Sequence, residues 1–312
     1  MEKVQRRKVL LLGNGILRAF SQESSSWKAL LDANATNKTL EGIGKDVMDV
    51  MPLPLCAVLQ TDDRVDELCG SISGKMERSP VSEELAGFIK SLAALGFDDI
   101  LTTNYGYEIE AALCGRKIIS EKGKMQKSQS HTEAVGRCEP KYMLHTYYDC
   151  PCGEERSVRV WHIHGEARKK DSIIIGHYYY GSLLSRYQEY FRSKRNGYAD
   201  DIKNGVRTKY SSWLDSFILG DVYVLGFGFA LSEFDMWWLV NRKKRENASH
   251  GKTVFYEPDG AARLKHMLLG SYGCEHRPLG YCNISESEYK EFYLKALDDI
   301  KSDIEEKAPA LV

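Results

Sequence analysis

The chain has 312 residues, 43% hydrophobic and 28% charged, which is long enough for a sizeable core and too apolar for a disordered polymer. Its 43 Lys and Arg against 44 Asp and Glu leave a formal net charge of −1, so no long-range attraction to nucleic acid or an anionic membrane is expected. The longest apolar run, residues 222–231, is about half of a bilayer-spanning helix, and the four apolar residues Val9–Leu12 are too few for a signal peptide, so a cytoplasmic protein is expected.

In chain order, Val9–Leu12 ends in Gly13-Asn14-Gly15 and reads as a buried strand meeting a tight turn. Residues 19–95 read as a mainly helical insertion, with Leu85, Phe88, Ile89 and Leu92 at helical spacing. Asp99–Thr103 gives a second strand and Tyr107–Leu113 a helix. Residues 115–156 form a polar, cysteine-containing insertion. Ser157–His164 alternates like a strand, turns at Gly165, and is followed by a strand predicted over Ser172–Gly176. Tyr187–Tyr210 interleaves basic and aromatic residues, a composition that can hold phosphates or single-stranded nucleic acid. Glu189, Asp200 and Asp201 dilute that charge, and the stretch reads as a solvated helical face.

Asp221–Leu225 is the most strand-like run and ends in Gly226-Phe227-Gly228. Ser232 and Asp235 are placed to cap a helix that runs through Trp237 and Trp238 to the basic end Arg242–Arg245. Thr253–Glu257 is the last strand, closed by Pro258. Ser285 and Glu288 form a capping box opening a C-terminal helix over residues 285–307. No internal repeat is present, and the whole chain, residues 1–312, reads as a single domain.

Apolar strands alternating with helices predict an α/β fold, a Rossmann-like parallel sheet with helices on both faces plus a helical insert subdomain. Ligands in such folds bind beyond the carboxyl ends of the strands. Gly13–Gly15, Thr102–Asn104, His162–Gly165 and Gly226–Gly228 all fall there. Glycine turns let a diphosphate approach backbone amides closely, although neither pair completes the full dinucleotide fingerprint. Taken alone, Thr102, Thr103 and Asn104 read as a polar cap on the helix that follows, while at a strand end Asn104 offers a donor and an acceptor that can hold a ribose hydroxyl and a water. His162 and His164, two apart in a strand, are expected to project together, either as a metal pair completed by His177 or Asp235 or with His164 as a single general base. Eight cysteines without a signal peptide read as reduced thiols. Cys138, Cys150 and Cys152, with His131 and His145, form a candidate zinc cluster without the paired spacing of a zinc ribbon.

Taken in order, Leu11-Leu12-Gly13-Asn14-Gly15, Leu101-Thr102-Thr103-Asn104-Tyr105, His162-Ile163-His164-Gly165 and Leu225-Gly226-Phe227-Gly228 resemble the SIR2-like family of NAD-consuming proteins. The run from Ser232 to Arg245 resembles its bacterial branch, associated with anti-phage defence. The resemblance implies Asn104 and His164 as catalytic residues. It implies Gly13, Asn14, Gly15, Thr102, Thr103, Asn104, Gly226, Phe227, Gly228 and Glu257 as contacts to NAD, the substrate, with no metal required. Gly106 stands where the family commonly has an Asp that contacts nicotinamide, and the cysteines precede the His-Gly turn rather than following it. The first weakens the implied nicotinamide contact and leaves Asn104 intact, and the second argues against acyl-lysine recognition. The leading expectation is an NAD glycohydrolase controlled by self-assembly or by a separate sensor. The alternatives are an NAD-dependent deacylase, a metal hydrolase built on His162 and His164, and a non-catalytic nucleotide-binding module.

Overall fold

A computed structural model describes residues 6–21, 27–37, 51–76, 81–115, 130–132, 141–193, 210–246, 251–260 and 263–306. The elements in chain order are β1 (Lys8–Leu12), α1 (Asn14–Phe20), α2 (Trp27–Asp32), α3 (Leu53–Gln60), α4 (Val65–Met76), α5 (Glu83–Ala94), β2 (Asp99–Thr102) and α6 (Glu108–Cys114). They continue with β3 (Ser130–Thr132), β4 (Thr146–Pro151), β5 (Ser157–His162), α7 (His177–Ser193), α8 (Trp213–Leu219) and β6 (Asp221–Leu225). The chain then forms α9 (Phe234–Arg245), β7 (Thr253–Tyr256), α10 (Arg263–Ser271), β8 (Cys274–Arg277) and α11 (Tyr289–Glu305).

One eight-stranded sheet runs in the order β3-β4-β5-β2-β1-β6-β7-β8. The six strands from β5 to β8 in that order are parallel, while β4 and β3 extend the edge in antiparallel pairing. The α/β fold expected from the sequence is therefore present, mostly parallel and with an antiparallel edge. The uninterrupted apolar run of β1 follows from burial on both faces. Val9 and Leu11 join a core with Trp161, Tyr187, Trp213 and Phe217 under α7, α8 and α9, whereas Leu10 and Leu12 join Phe88, Ile89, Phe292 and Ile300 under α5 and α11. A third cluster packs α2, α3 and α4 against Tyr105, Ile173 and Ile175. Among the described residues no helix is long and apolar enough to cross a membrane.

Three expectations need correction. The strand expected over Ser172–Gly176 does not form: Lys170–Ser172 is a single 3₁₀ turn, and the Ile174 N–H donates to the His164 carbonyl at 2.9 Å. That apolar run is buried against a turn, which local periodicity does not distinguish from pairing in a sheet. Ser232 and Asp235 do not cap α9, whose N-cap is Glu233 without a side-chain bond, because the Asp235 carboxylate is engaged elsewhere. The polar insertion also contributes β3 and β4 to the sheet. Its residues 116–129 and 133–140, and residues 194–209 of the basic-aromatic stretch, lie outside the described residues. The Ser285–Glu288 capping box forms as expected and leads into α11.

Candidate functional site

The parallel strands β5, β2, β1, β6 and β7 are consecutive neighbours, so their carboxyl ends form a row. Along it lie His162–His164, Thr102–Asn104, Gly13–Gly15, Gly226–Gly228 and Glu257. Four strand spacings make this row roughly 19 Å long, the scale of an extended dinucleotide. Gly13 and Gly226, 213 positions apart in sequence, meet here only because the strand order doubles back at β1, the switch point where such folds open a crevice.

The two glycine turns dock on each other. The Gly13 N–H donates to Leu225 O at 2.9 Å and the Gly15 N–H to Gly226 O at 2.8 Å. A Cβ on Gly13 would overlap the Gly226 carbonyl and lie 2.5 Å from Phe227 Cα, and Gly226 itself sits at φ +68°. The amides of Gly13 and Gly15 are thus spent inside the fold, and these glycines serve the close approach of two loops. Beside the loops is a cavity of about 540 Å³, in the size range of small-molecule sites. Asn14, Gly15, Gly226, Phe227, Gly228 and Glu257 line it, together with Arg18, Trp27, Tyr289 and Tyr293, which sequence reasoning did not single out. Arg18 lies four residues after Asn14 in α1, so the first turn of that helix brings both to one face. Gly13, Thr102, Thr103, Asn104 and His164 are not on this wall. Trp27 connects the two regions, because its ring also meets Tyr105, the neighbour of Asn104, edge-on at 5.4 Å.

The two histidines do different work. His162, at the end of β5, faces two acceptors: its Nδ1–H donates to the Asn104 carbonyl at 2.9 Å and its Nε2–H to Glu110 Oε1 at 2.8 Å. A ring whose two nitrogens both meet acceptors carries both protons. Burial opposes that charge, but the Glu110 carboxylate outweighs burial and holds the imidazole up at about 9. His162 is a clamp fixing the Asn104 segment against β5, which the Ile163 N–H to Thr102 O bond at 2.9 Å also joins.

His164 lies in the turn beyond β5, where Gly165 adopts φ +95°. Its Nε2–H donates to Asp235 Oδ2 at 2.8 Å, and its ring meets Tyr180 edge-on at 5.5 Å. Burial lowers its proton affinity, yet Asp235 and then Glu233 reverse the balance and raise it. Glu233 is itself driven well above the usual carboxylate range, chiefly by burial, with His164 opposing and Asp235 adding to the shift. With Nε2 held by a carboxylate, Nδ1 is the nitrogen left to accept a proton. Asp235 Oδ1 is buried and has no hydrogen-bond partner among the described residues. The expected side-by-side projection of His162 and His164 is therefore wrong, because the strand ends between them and each ring takes its own carboxylate. Asp235, read from the sequence as a cap or as a ligand completing a histidine metal pair, is the hydrogen-bond partner of His164.

Two other candidates resolve differently. Cys150 is buried against Cys114, the Cys152 thiol donates to Ala93 O at 3.0 Å, and His145 Nδ1–H donates to Ser211 O at 2.8 Å. These three do not converge, while Cys138 and the His131 side chain lie outside the described residues. At Gly106 a Cβ would collide with the Glu108 carboxylate, so that buried carboxylate fills the space a side chain at position 106 would take.

A mostly parallel α/β sheet with paired glycine turns and polar residues at successive strand ends defines a Rossmann-like nucleotide-binding domain. The chain belongs to the SIR2-like domain family, whose model matches residues 98–276, more than half of its length. SIR2-like domains use NAD as a substrate, which sets the chain among NAD-dependent enzymes. No curated protein matches the chain.

Proposed function

We propose that the protein is an NAD glycohydrolase that splits the nicotinamide–ribose bond to give nicotinamide and ADP-ribose. The observation that supports this reading best is the clamp: His162 ties the turn carrying His164 to the Asn104 segment, which ends β2, the strand next to β1 and its glycine-lined cavity. In this reading the cavity takes the ADP part, with Arg18 toward the diphosphate and Glu257 accepting from ribose hydroxyls. Asn104 orients the nicotinamide ribose and a water. The C1′–N bond breaks with its electron pair passing to the pyridinium nitrogen, which discharges the nicotinamide. The water oxygen bonds to C1′, and its proton passes to Nδ1 of His164, whose Nε2–H is steadied by Asp235. Glu108 supplies a carboxylate in the space that a side chain at position 106 would take.

His164 is only 1% exposed and lies off the cavity wall, so the nicotinamide end needs this region to open. That closure supports a silent resting state released by self-assembly or by a sensor protein, as an NAD-depleting effector of anti-phage defence would require. The test is incubation with NAD and chromatography of nicotinamide and ADP-ribose for the wild type, Asn104→Ala and His164→Ala. Both variants are expected to lose release. Faster turnover of an acyl-lysine peptide than of NAD alone would instead favour a deacylase, and a thermal shift by NAD without consumption would favour a binding module.

A further inference from the structure

Beyond β7 and β8, away from the histidines of the candidate active site, a second group of side chains is arranged around an open cavity of about 450 Å³. His266 comes from α10, His276 from β8, and Asp259 from the loop after β7. One possible ligand atom from each lies within 4.8 Å of the other two. Their hydrogen bonds fix the tautomers. His276 Nε2 is 2.6 Å from the Glu257 carbonyl, an acceptor only, so the proton of the neutral ring is on Nε2. His266 Nε2 is 2.5 Å from Glu257 Oε2 and donates to that carboxylate in the same way. Each neutral ring is then left with its lone pair on Nδ1, and that of His276 is 3.9 Å from Asp259 Oδ1. Two lone-pair-bearing atoms at this separation repel, and a cation between them turns the repulsion into coordination. Imidazoles whose far N–H groups are anchored to a carboxylate and a backbone carbonyl are the supported ligands that metal sites use.

We propose that Asp259, His266 and His276 bind a divalent transition-metal ion of the zinc class, with Glu257 orienting both imidazoles. Two imidazoles and one carboxylate suit zinc or cobalt better than calcium or magnesium, which prefer all-oxygen shells. The rings stack at 3.8 Å between centroids with 28° between their planes, so ion entry swings them apart until both Nδ1 atoms point at one centre. Asp259 is exposed and His266 half-buried, which allows that adjustment, and the exposed Arg263 on the same rim can turn to solvent. Because Glu257 also lines the nucleotide cavity, a bound ion would fix one wall of that cavity. The inference itself does not depend on the NAD reading.

The test is cobalt(II) titration of the chelator-treated full chain, read by equilibrium dialysis and by absorption. The expected result is one ion per chain showing ligand-field bands without a thiolate charge-transfer band. His276→Gln and a His266→Ala/His276→Ala double variant should each weaken binding at least tenfold, and Glu257→Gln about tenfold. His145→Ala should bind as the wild type does. Circular dichroism confirms that each variant is folded, and His276→Gln, the mildest change, remains usable if the double variant is not. The proposal is overturned if no stoichiometric ion binds, if the histidine variants bind as the wild type does, or if cobalt binds only with a thiolate band.

Discussion

Replacing Glu110 by Gln should remove a specific, pH-dependent part of the protein's stability. Burial alone would make His162 neutral, and Glu110 reverses this, holding the imidazole at about 9 against the ordinary 6.5. A histidine whose proton is held more tightly in the folded state adds stability that is complete below about pH 6.5 and is lost as the pH rises through about 9. The difference between those two values is worth on the order of 3 kcal/mol, from the roughly 1.4 kcal/mol that each tenfold change in proton affinity represents. Urea unfolding at about pH 6 and about pH 9.5 measures it. His164 and Glu233 also bind protons more tightly when folded, so the wild type alone does not isolate His162. The gap between wild type and Glu110→Gln does: it should be about 3 kcal/mol larger at the lower pH. A gap of the same size at both would show that His162 is not the buried cation its two acceptors require.

Asp235→Asn should leave the sheet intact but lower nicotinamide release by 10²-fold or more, because His164 loses the carboxylate that fixes its tautomer; the pH–rate profile should also lose its His164 limb. Gly13→Ala should destabilise the fold by about 2 kcal/mol or prevent folding, since the added Cβ meets backbone atoms of the β6 turn; chemical denaturation checks it, and near-wild-type stability would refute the docking of the two loops. Asp99→Ala should cost about 3–5 kcal/mol, because the buried carboxylate receives Arg7, Arg159 and the Trp161 indole N–H at 3.0, 2.8 and 2.8 Å; a thermal melt reads the loss. Arg18→Ala should weaken NAD binding measured by calorimetry, while an unchanged affinity would move the diphosphate away from this cavity.

Elements whose burial is continuous along the chain were legible in the sequence. The β1 and β6 strands and the amphipathic α5 and α11 announce themselves by apolar period, and the glycine turns by composition. Periodicity alone mistook Ile173–Ile175 for a strand, because burial against a turn gives the same apolar signature as burial in a sheet. The β4 strand was hidden by its mixed face, alternating buried and partly exposed residues within a polar insertion. At the site, the four motif segments were visible as motifs and Asp235 as one candidate to join the histidines, but which carboxylate each histidine takes was not. Asp235 is 71 positions from His164 and Glu110 is 52 from His162, so the pairing of each histidine with its carboxylate is a product of the crossover topology and not of local spacing. Arg18 and Trp27 join the cavity wall for the same reason, carried there by α1 and α2 over the first strand end.

The most direct measurement is a paired one on the same preparations: NAD affinity by calorimetry and nicotinamide release at high enzyme concentration, for the wild type, Asn104→Ala and His164→Ala. If the row of strand ends is one NAD site, the wild type binds and cleaves, and both variants still bind but release nicotinamide at least 10²-fold more slowly. A wild type that does not bind NAD, or variants that cleave as fast as the wild type, would contradict it.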